Sequence, residues 1–455
     1  MKKLSFILAV AAILLPGFAN AVEILDSLKM AYENNPDFKA KQEEVKARDE
    51  QMPQALSGWM PTISAVGESG RNRDKVKGFG GIERKVYYGD HTRQLVYNQN
   101  LFQSGETVFR TNRAESVILG SREELRDTEQ LILLNTIIAH SDVVRTKEVL
   151  DLSEHNEKVL REQMDSTKER FLLGETTKTD VSQSEARYQR GISDRIKAQG
   201  DLTAALANYI QITGVHENKL LRDPENFKLP RELAKIPNNL DEAFSIAQDS
   251  NPKLKASEYG VDVSKQDVNI NLSRLGPDVN LRASAIRGDT RVIGGTAKND
   301  NDSITLNLTI PLYQSGAEYS RIREAKKESE RRKEVKIGTL NQLRENIISS
   351  WESVITTRAT ISATTEAVNA ATIALEGVRK EQEVGSRTIL DVLDAEQELF
   401  VAKVNLVNAK RNEVVAVYTL LYHMGKHSAQ DLGVKTEYYD PEKHYKNVRF
   451  LPVGF

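Results

Sequence analysis

Hydrophobic positions follow two rhythms along this chain, and the rhythms change at matching places in its two halves. A helix is predicted from about Ile24 to Ser57. It is interrupted at Asn35-Pro36, because proline lacks a backbone donor and restricts its predecessor. A similar helix opens near Leu240, with Asn251-Pro252 in the corresponding place. At Pro61 and at Pro277 each helix gives way to extended chain, where Gly, Asn, Ser and Thr become common. The clearest strand is Ser303–Leu312: Ile304, Leu306, Leu308, Ile310 and Leu312 fall on one face, Thr305, Asn307 and Thr309 on the other. Its partner is Val279–Arg287, and the stretch between them, from Gly288 to Asp302, reads as a polar loop. In the first half, Thr62–Ser69 and Thr92–Phe102 make a second hairpin, joined by a Gly- and charge-rich stretch from Gly70 to Asp90.

Strands of about nine or ten residues match what a tilted β-strand needs to cross a bilayer with alternate residues facing lipid. A soluble sandwich with one buried face gives the same alternation, so the strands alone leave both readings open. Four strands cannot close a barrel by themselves. If they are membrane strands, several chains must pool them.

The remainder is helix. Gly105 to about Leu172 and Gly316 to about Glu383 contain no proline, and each would span on the order of 100 Å at 1.5 Å per residue. That length points to coiled-coil packing. Each run is followed by a Gly-containing break and a second helix, Thr179–Gly214 or Thr388–Gly425. Val181, Tyr188, Ile192, Ile196, Leu202 and Leu206 make an apolar stripe in the first. Leu393, Leu399, Val404, Val407, Val414 and Val417 make one in the second, suited to antiparallel helix pairs. Interior glycines such as Gly120, Gly191 and Gly338 allow either bends or close helix contacts.

The two halves are copies. Leu101-Phe102-Gln103-Ser104-Gly105 returns about 211 residues later as Leu312-Tyr313-Gln314-Ser315-Gly316, and Gly174, Asp180 and Gly214 return as Gly385, Asp391 and Gly425. A first repeat over 22–214 and a second over 240–425 follow, with hairpins at about 62–102 and 279–312. A Pro-containing linker, 215–239, separates the repeats, and a Tyr-, Lys- and Asp-rich tail covers 426–455. Residues 1–21 read as a secretory signal peptide: Lys2-Lys3, an apolar run from Leu4 to Leu15, then Ala19-Asn20-Ala21.

Composition narrows the function. No later apolar run reaches the length of a membrane-spanning helix. Cysteine is absent, which removes disulfides, thiolate metal sites and a lipid-bearing cysteine. With 63 basic and 65 acidic residues the net charge of -2 gives no support to nucleic-acid binding. Hydrophobic content of 39% suits long helices with one wet face.

No nucleotide, zinc-protease, calcium-loop or nucleophile-elbow motif occurs in its required context, and neither a catalytic residue nor a cofactor or metal site is expected. Gly78-Phe79-Gly80-Gly81 reads as a surface loop. His423 and His427, spaced as a metal pair but straddling Gly425, read as solvated or capping side chains. Asp391 and Asp394 stand three apart near the start of the last long helix. They complement the helix dipole there, or, if subunits meet on an axis, form a ring of charge that attracts cations. A catalytic pair is the remaining reading, without an acid–base partner in the sequence.

These residues carry a resemblance. The duplicated helix–strand–strand–helix plan, the LFQSG and PLYQSG elements, GETTKTDV at Gly174–Val181 and VGSRTILDVLDA at Val384–Ala395 resemble the TolC-type outer-membrane channel family of type I protein secretion and multidrug efflux. The resemblance implies a mixed α/β membrane protein. In it a homotrimer closes a 12-stranded β-barrel in outer-membrane lipid, continuous with a long periplasmic α-helical barrel. It implies a passive exit duct, not an enzyme, that docks a periplasmic adaptor joined to an inner-membrane ABC or proton-driven pump. Carried onto this sequence, Asp391 and Asp394 match the acidic residues that constrict the periplasmic entrance, and Thr179, Asp180 and Arg387 match a polar network holding it closed. Where the family pattern has a tyrosine in that network, this chain has Gln382. Ile304, Leu306, Leu308 and Ile310 become the lipid-facing side of a strand. The competing reading is a periplasmic adaptor or exported coiled-coil scaffold without channel activity, which would not need two bilayer-length hairpins.

Overall fold

The computed structural model describes residues 23–77, 81, 83–215, 227–230, 234–292 and 295–451. The expected signal peptide, most of the 78–81 glycine run and part of the linker lie outside the described residues. The first repeat contains α1 (Ile24–Asn34), α2 (Pro36–Asp49), α3 (Gln51–Leu56), β1 (Thr62–Lys77), β2 (Glu83–Gln103), α4 (Glu106–Leu172) and α5 (Lys178–Thr213). The second contains α6 (Leu240–Ser250), α7 (Pro252–Ser273), β3 (Asp278–Val292), β4 (Gly295–Thr309), α8 (Ala317–Glu383) and α9 (Ile389–His423). A short α10 (Pro441–Val448) lies in the tail.

Each Asn-Pro break proves to be a junction between helices. Asn35 Oδ1 accepts from the amides of Asp37 and Phe38 at 2.9 and 3.0 Å, capping α2, while its Nδ2 donates 2.8 Å to the Ile212 carbonyl at the end of α5. Asn251 repeats this: its Oδ1 accepts from the Leu254 amide at 3.1 Å, and its Nδ2 donates 2.9 Å to the His423 carbonyl at the end of α9. The side chain that starts one helix thus ties down the end of another, and it does so in both copies.

The QSG elements turn strand into helix. Ser104 and Gly105 adopt φ 50° and 83°, Ser315 and Gly316 φ 53° and 77°, two successive left-handed residues in each copy. The Ser104 hydroxyl donates 2.8 Å to the Pro277 carbonyl, joining the base of one copy's hairpin to that of the other.

All four strands form one antiparallel sheet in chain order. The copies meet at β2 and β3, with Leu95 opposite Ala285 and Tyr97 opposite Ala283; a bulge at Asn100–Phe102 adjusts the register. The strands are longer than the sequence suggested, at 16, 21, 15 and 15 residues. The stretches read as loops, 70–90 and 288–302, are mostly strand: β1 runs on to Lys77 and β3 to Val292, each pairing with the next strand. Each is held by ladder bonds to the next strand, while both faces are polar, so no apolar alternation announces them. At the other end β4 stops at Thr309, short of the expected Leu312, because Pro311 lacks a donor. Ile310 therefore lies just past the strand.

α4 and α8, 67 residues each, run antiparallel to α5 and α9. The main core gathers where α1, α4, α6, α8 and α9 converge, around Leu28, Leu133, Ile137, Ile347, Val417 and Leu420. Leu375, Val392 and Leu399 zip α8 to α9 nearer the helical turn. Among the interior glycines, Gly191 is a close-contact position: a Cβ there would sit 3.0 Å from Leu160 Cδ1 across the α4–α5 pair. Ile196, counted in the expected stripe of α5, is 58% exposed. The tail folds back on the helices. Ala429 and Val434 are buried, the Ala429 amide donates to Glu129 at 2.8 Å, and His444 Nδ1 lies 3.2 Å from Asp49 Oδ2.

Candidate functional site

The two helical turns farthest in sequence from the sheet, α4–α5 and α8–α9, hold the residues singled out for the entrance. Both turns are built alike. Gly174 and Gly385, at φ 79° and 81°, end the long helices. The Gly174 amide donates to the Phe171 carbonyl at 3.0 Å and the Glu175 amide to Arg170 at 2.9 Å. Gly385 and Ser386 repeat these bonds to Gln382 and Glu381. The next helix then starts with a capping box. Asp180 Oδ2 accepts from the Thr177 amide and hydroxyl at 2.9 and 2.8 Å, and Asp391 Oδ2 accepts from Thr388 at the same distances. The bonds from the threonine amides, then from the hydroxyls, hold both carboxyls below the usual carboxylate range.

Beyond this shared frame the copies differ. Arg387 donates from Nε to Glu381 Oε2 at 2.9 Å, and its Nη1 lies 4.0 Å from Asp391 Oδ1. The Glu381 carboxylate, then Asp391, pushes the Arg387 guanidinium up. Asp394 does not share a site with Asp391. It accepts 2.5 Å from Arg187 Nη2 on α5, so a copy-two carboxylate is held by a copy-one cation. Thr179 is exposed in the first turn of α5, and Gln382 is half-buried in the last turn of α8. Within one chain, Arg387, Glu381 and Asp391 come together, and Arg187 and Asp394 come together. Thr179 and Asp180 remain on the neighbouring turn.

Arg187 was not picked out from the sequence, although a signal existed. Its repeat-related position is Glu398, a charge reversal between otherwise parallel helices.

A second polar group could be mistaken for a nucleophile. Tyr209 donates 2.7 Å to Ser27 Oγ, which lies 2.8 Å from His140 Nδ1, while His140 Nε2 lies 2.9 Å from the Lys228 carbonyl. A carbonyl only accepts, so Nε2 carries the proton and Nδ1 accepts from Ser27. Ser27, His140 and Tyr209 are all fully buried, out of reach of any substrate, so the group locks the α1–α4–α5 contact. His427 corrects the expectation of a solvated histidine. It is fully buried, with its ring 5.7 Å from that of Tyr418, and burial pushes it down to about 3. His423, likewise, is pushed down to about 4, mainly by burial. Among the described residues no group of side chains is arranged to hold a metal ion.

One face of the sheet joins Ile63, Leu95, Ala283, Ile304 and Leu306, since directly paired residues share a face. Ile304 is 80% exposed and Leu306 and Leu308 are 62%. The opposite face carries Ser64, Gln94, Ser284 and Ser303. β1 and β4 are left as open edges. A sheet apolar on one face, polar on the other and open at both edges, continued by helices on the order of 100 Å long, has the form of one subunit of a multichain membrane duct.

Comparison with known proteins gives the family. The family described as "Outer membrane efflux protein" matches residues 27–215 and 243–426, one segment in each copy, and this chain belongs to it. The outer membrane efflux protein BepC of Brucella suis is 32% identical over 452 residues, covering 97% of this chain and 95% of that protein. The alkaline protease secretion protein AprF of Pseudomonas aeruginosa is 26% identical, covering 91% and 86%. The crystal structure of the Campylobacter jejuni CmeC outer membrane channel superposes with a TM-score of 0.76 at 16% identity, covering 94% of this chain and 89% of that one. The chain is therefore an outer-membrane exit duct of the TolC type, with its helical part in the periplasm and no enzymatic role. It works in a trimeric assembly with adaptor and inner-membrane transporter partners, and the scaffold reading gives way.

Proposed function

We propose that the α4–α5 and α8–α9 turns form the periplasmic entrance of the trimer, with Asp391 and Asp394 constricting it and Thr179, Asp180, Gln382 and Arg387 in the network that holds it shut. The observation that carries this reading is the Arg187–Asp394 bridge. It is the link between α5 of one copy and α9 of the other at the turn, where separating the two helix pairs would widen an opening. Exposed ion pairs are worth little each, about 1 kcal/mol or less, which suits a latch that must open. Ile304, Leu306 and Leu308, with Ile310 just past the strand, face lipid in this reading. The inner-membrane partner is an ABC transporter or a proton-driven pump. The cargo is protein or small molecules: relatives that match along most of their length are named for efflux and for alkaline protease secretion.

Asparagine at Asp391 keeps an oxygen that accepts from the Thr388 amide, so an Asp391→Asn, Asp394→Asn chain should fold and trimerise. In planar bilayers its cation selectivity should fall, and block by multivalent cations added on the periplasmic side should weaken about tenfold. Unchanged selectivity and block would remove both carboxylates from the pore axis. Arg187→Ala frees Asp394 and should raise the resting conductance while shifting the melting midpoint very little. Conductance equal to that of the unaltered chain would show that the bridge does not latch the entrance.

A further inference from the structure

Beyond the apolar residues, towards the hairpin ends, the same outward face of the sheet turns basic. Arg71, Arg73 and Lys75 on β1 and Lys85 and Arg93 on β2 all belong to it and are all exposed. The register sets like charges directly opposite one another: Lys75 faces Lys85, and Arg93 faces Arg287 of β3. Such pairs are destabilising unless something anionic lies between them. Between Lys75 and Lys85 the described residues supply nothing that does so, and at the other pair Asp302 serves Arg287 but leaves Arg93 unpartnered. Among the described residues none of Arg71, Arg73, Lys75, Lys85 and Arg93 has an ion-pair partner. Glu83 is taken by Lys77 at 3.4 Å, and Asp302 by Arg287 at 2.7 Å. Asp74 belongs to the opposite face, where it accepts from the Tyr88 hydroxyl at 3.1 Å. The second hairpin differs, because it carries Asp289, Asp300 and Asp302 on this face beside Arg287 and Lys298.

We propose that the basic outward face of the first hairpin binds the phosphate groups of an anionic lipid in the outer leaflet. The place follows from continuity. Arg93 stands two residues along β2 from Leu95, so its guanidinium lies where acyl chains end and headgroups begin. The side follows from topology, since the hairpin ends point away from the periplasmic helices. The chemistry follows from the residues: arginine forks match phosphate oxygens two bonds at a time, so a phosphate beside Arg93 supplies the charge that Asp302 gives only to Arg287, and one between Lys75 and Lys85 relieves their repulsion. A lipid supplies the acyl chains that the adjoining Leu95 and Ile63 would touch, which free phosphate does not. The assignment rests on the reading that the apolar face meets lipid.

The experiment compares two lipids on the unaltered trimer. The trimer is reconstituted in phosphatidylcholine vesicles holding about a tenth of either lipid A, a bis-phosphorylated glycolipid, or its fully dephosphorylated form. It is then extracted in polymer discs, and the lipid retained per trimer is measured. Lipid A should be enriched about tenfold over the bulk, the dephosphorylated form should not be, and an R71Q/R73Q/K75Q/R93Q chain should lose the enrichment. Equal retention of both lipids, or displacement of lipid A by millimolar inorganic phosphate, overturns the proposal. The comparison on the unaltered trimer stands even if that variant fails to assemble. The chain has no cysteine, so Leu306→Cys takes a single nitroxide label without background. Relaxation of that label by an aqueous reagent and not by oxygen would overturn the lipid-facing reading itself, separately from headgroup binding.

Discussion

A Gly425→Ala chain is expected to lose about 3 kcal/mol of stability, enough to compromise assembly of the trimer. Gly425 has φ 71°, and a Cβ on it would lie 2.4 Å from the Ser250 carbonyl oxygen and 2.8 Å from the Asn251 amide nitrogen. Neither is a flexible side-chain end. Both belong to the backbone of the α6–α7 junction that Asn251 clamps to α9. The Gly425 carbonyl also accepts 3.2 Å from the buried Gln130 amide, so the turn cannot shift without breaking that bond. Gly214 is its twin, at φ 68° with a Cβ 2.7 Å from the Asn34 carbonyl oxygen, and should respond similarly. Gly385 is the control. It has φ 81° but nothing within 4 Å, so alanine there should cost only about 1 kcal/mol. Urea melts of the three variants check the order, and a Gly425→Ala chain as stable as the Gly385→Ala chain would refute the account.

Acid should weaken the same region. Burial pushes His140 down to about 4 and His427 to about 3, from an ordinary value of 6.5. For a buried neutral histidine the unfolded chain binds the proton more readily. Stability is therefore complete above pH 6.5 and is lost progressively as the pH falls towards the folded-state value. From pH 7 to 5 each of the two should cost about 2 kcal/mol. His140→Gln keeps a polar side chain without the titration and should flatten the pH dependence by about that amount. Melting midpoints identical at pH 7 and 5 would show that these histidines do not carry the linkage.

How far the sequence revealed this molecule differs element by element. The long helices were legible almost to the residue, because Gly105, Gly174, Gly316 and Gly385 bracket proline-free runs and each takes a left-handed conformation that suits glycine. The apolar part of the hairpins was legible from the alternation of Ile304, Leu306 and Leu308. Their outer halves were not, since strands wet on both faces carry no period. The capping role of Asp391 could be read from Thr388 three residues before it. The charge reversal between Arg187 and Glu398 set Arg187 apart, but its pairing with Asp394 could not be read, because a contact across 207 residues depends on how α5 and α9 are rotated against each other. Helix periodicity does not fix that rotation. The buried set of Ser27, His140 and Tyr209 was silent for the same reason: three residues in three helices become a unit only when the helices dock.

The pairing of β2 with β3 has a consequence for how the duct is made. A single-copy chain would have to bring six identical pieces together to close the ring, whereas here half of those seams are internal, one to each polypeptide, already aligned by Leu95 opposite Ala285. Ring closure then depends on three encounters' worth of chain concentration instead of six, and dilution in the periplasm opposes it correspondingly less. Only the β4-to-β1 seam must be found by collision, so it is there that a competing strand could interrupt assembly.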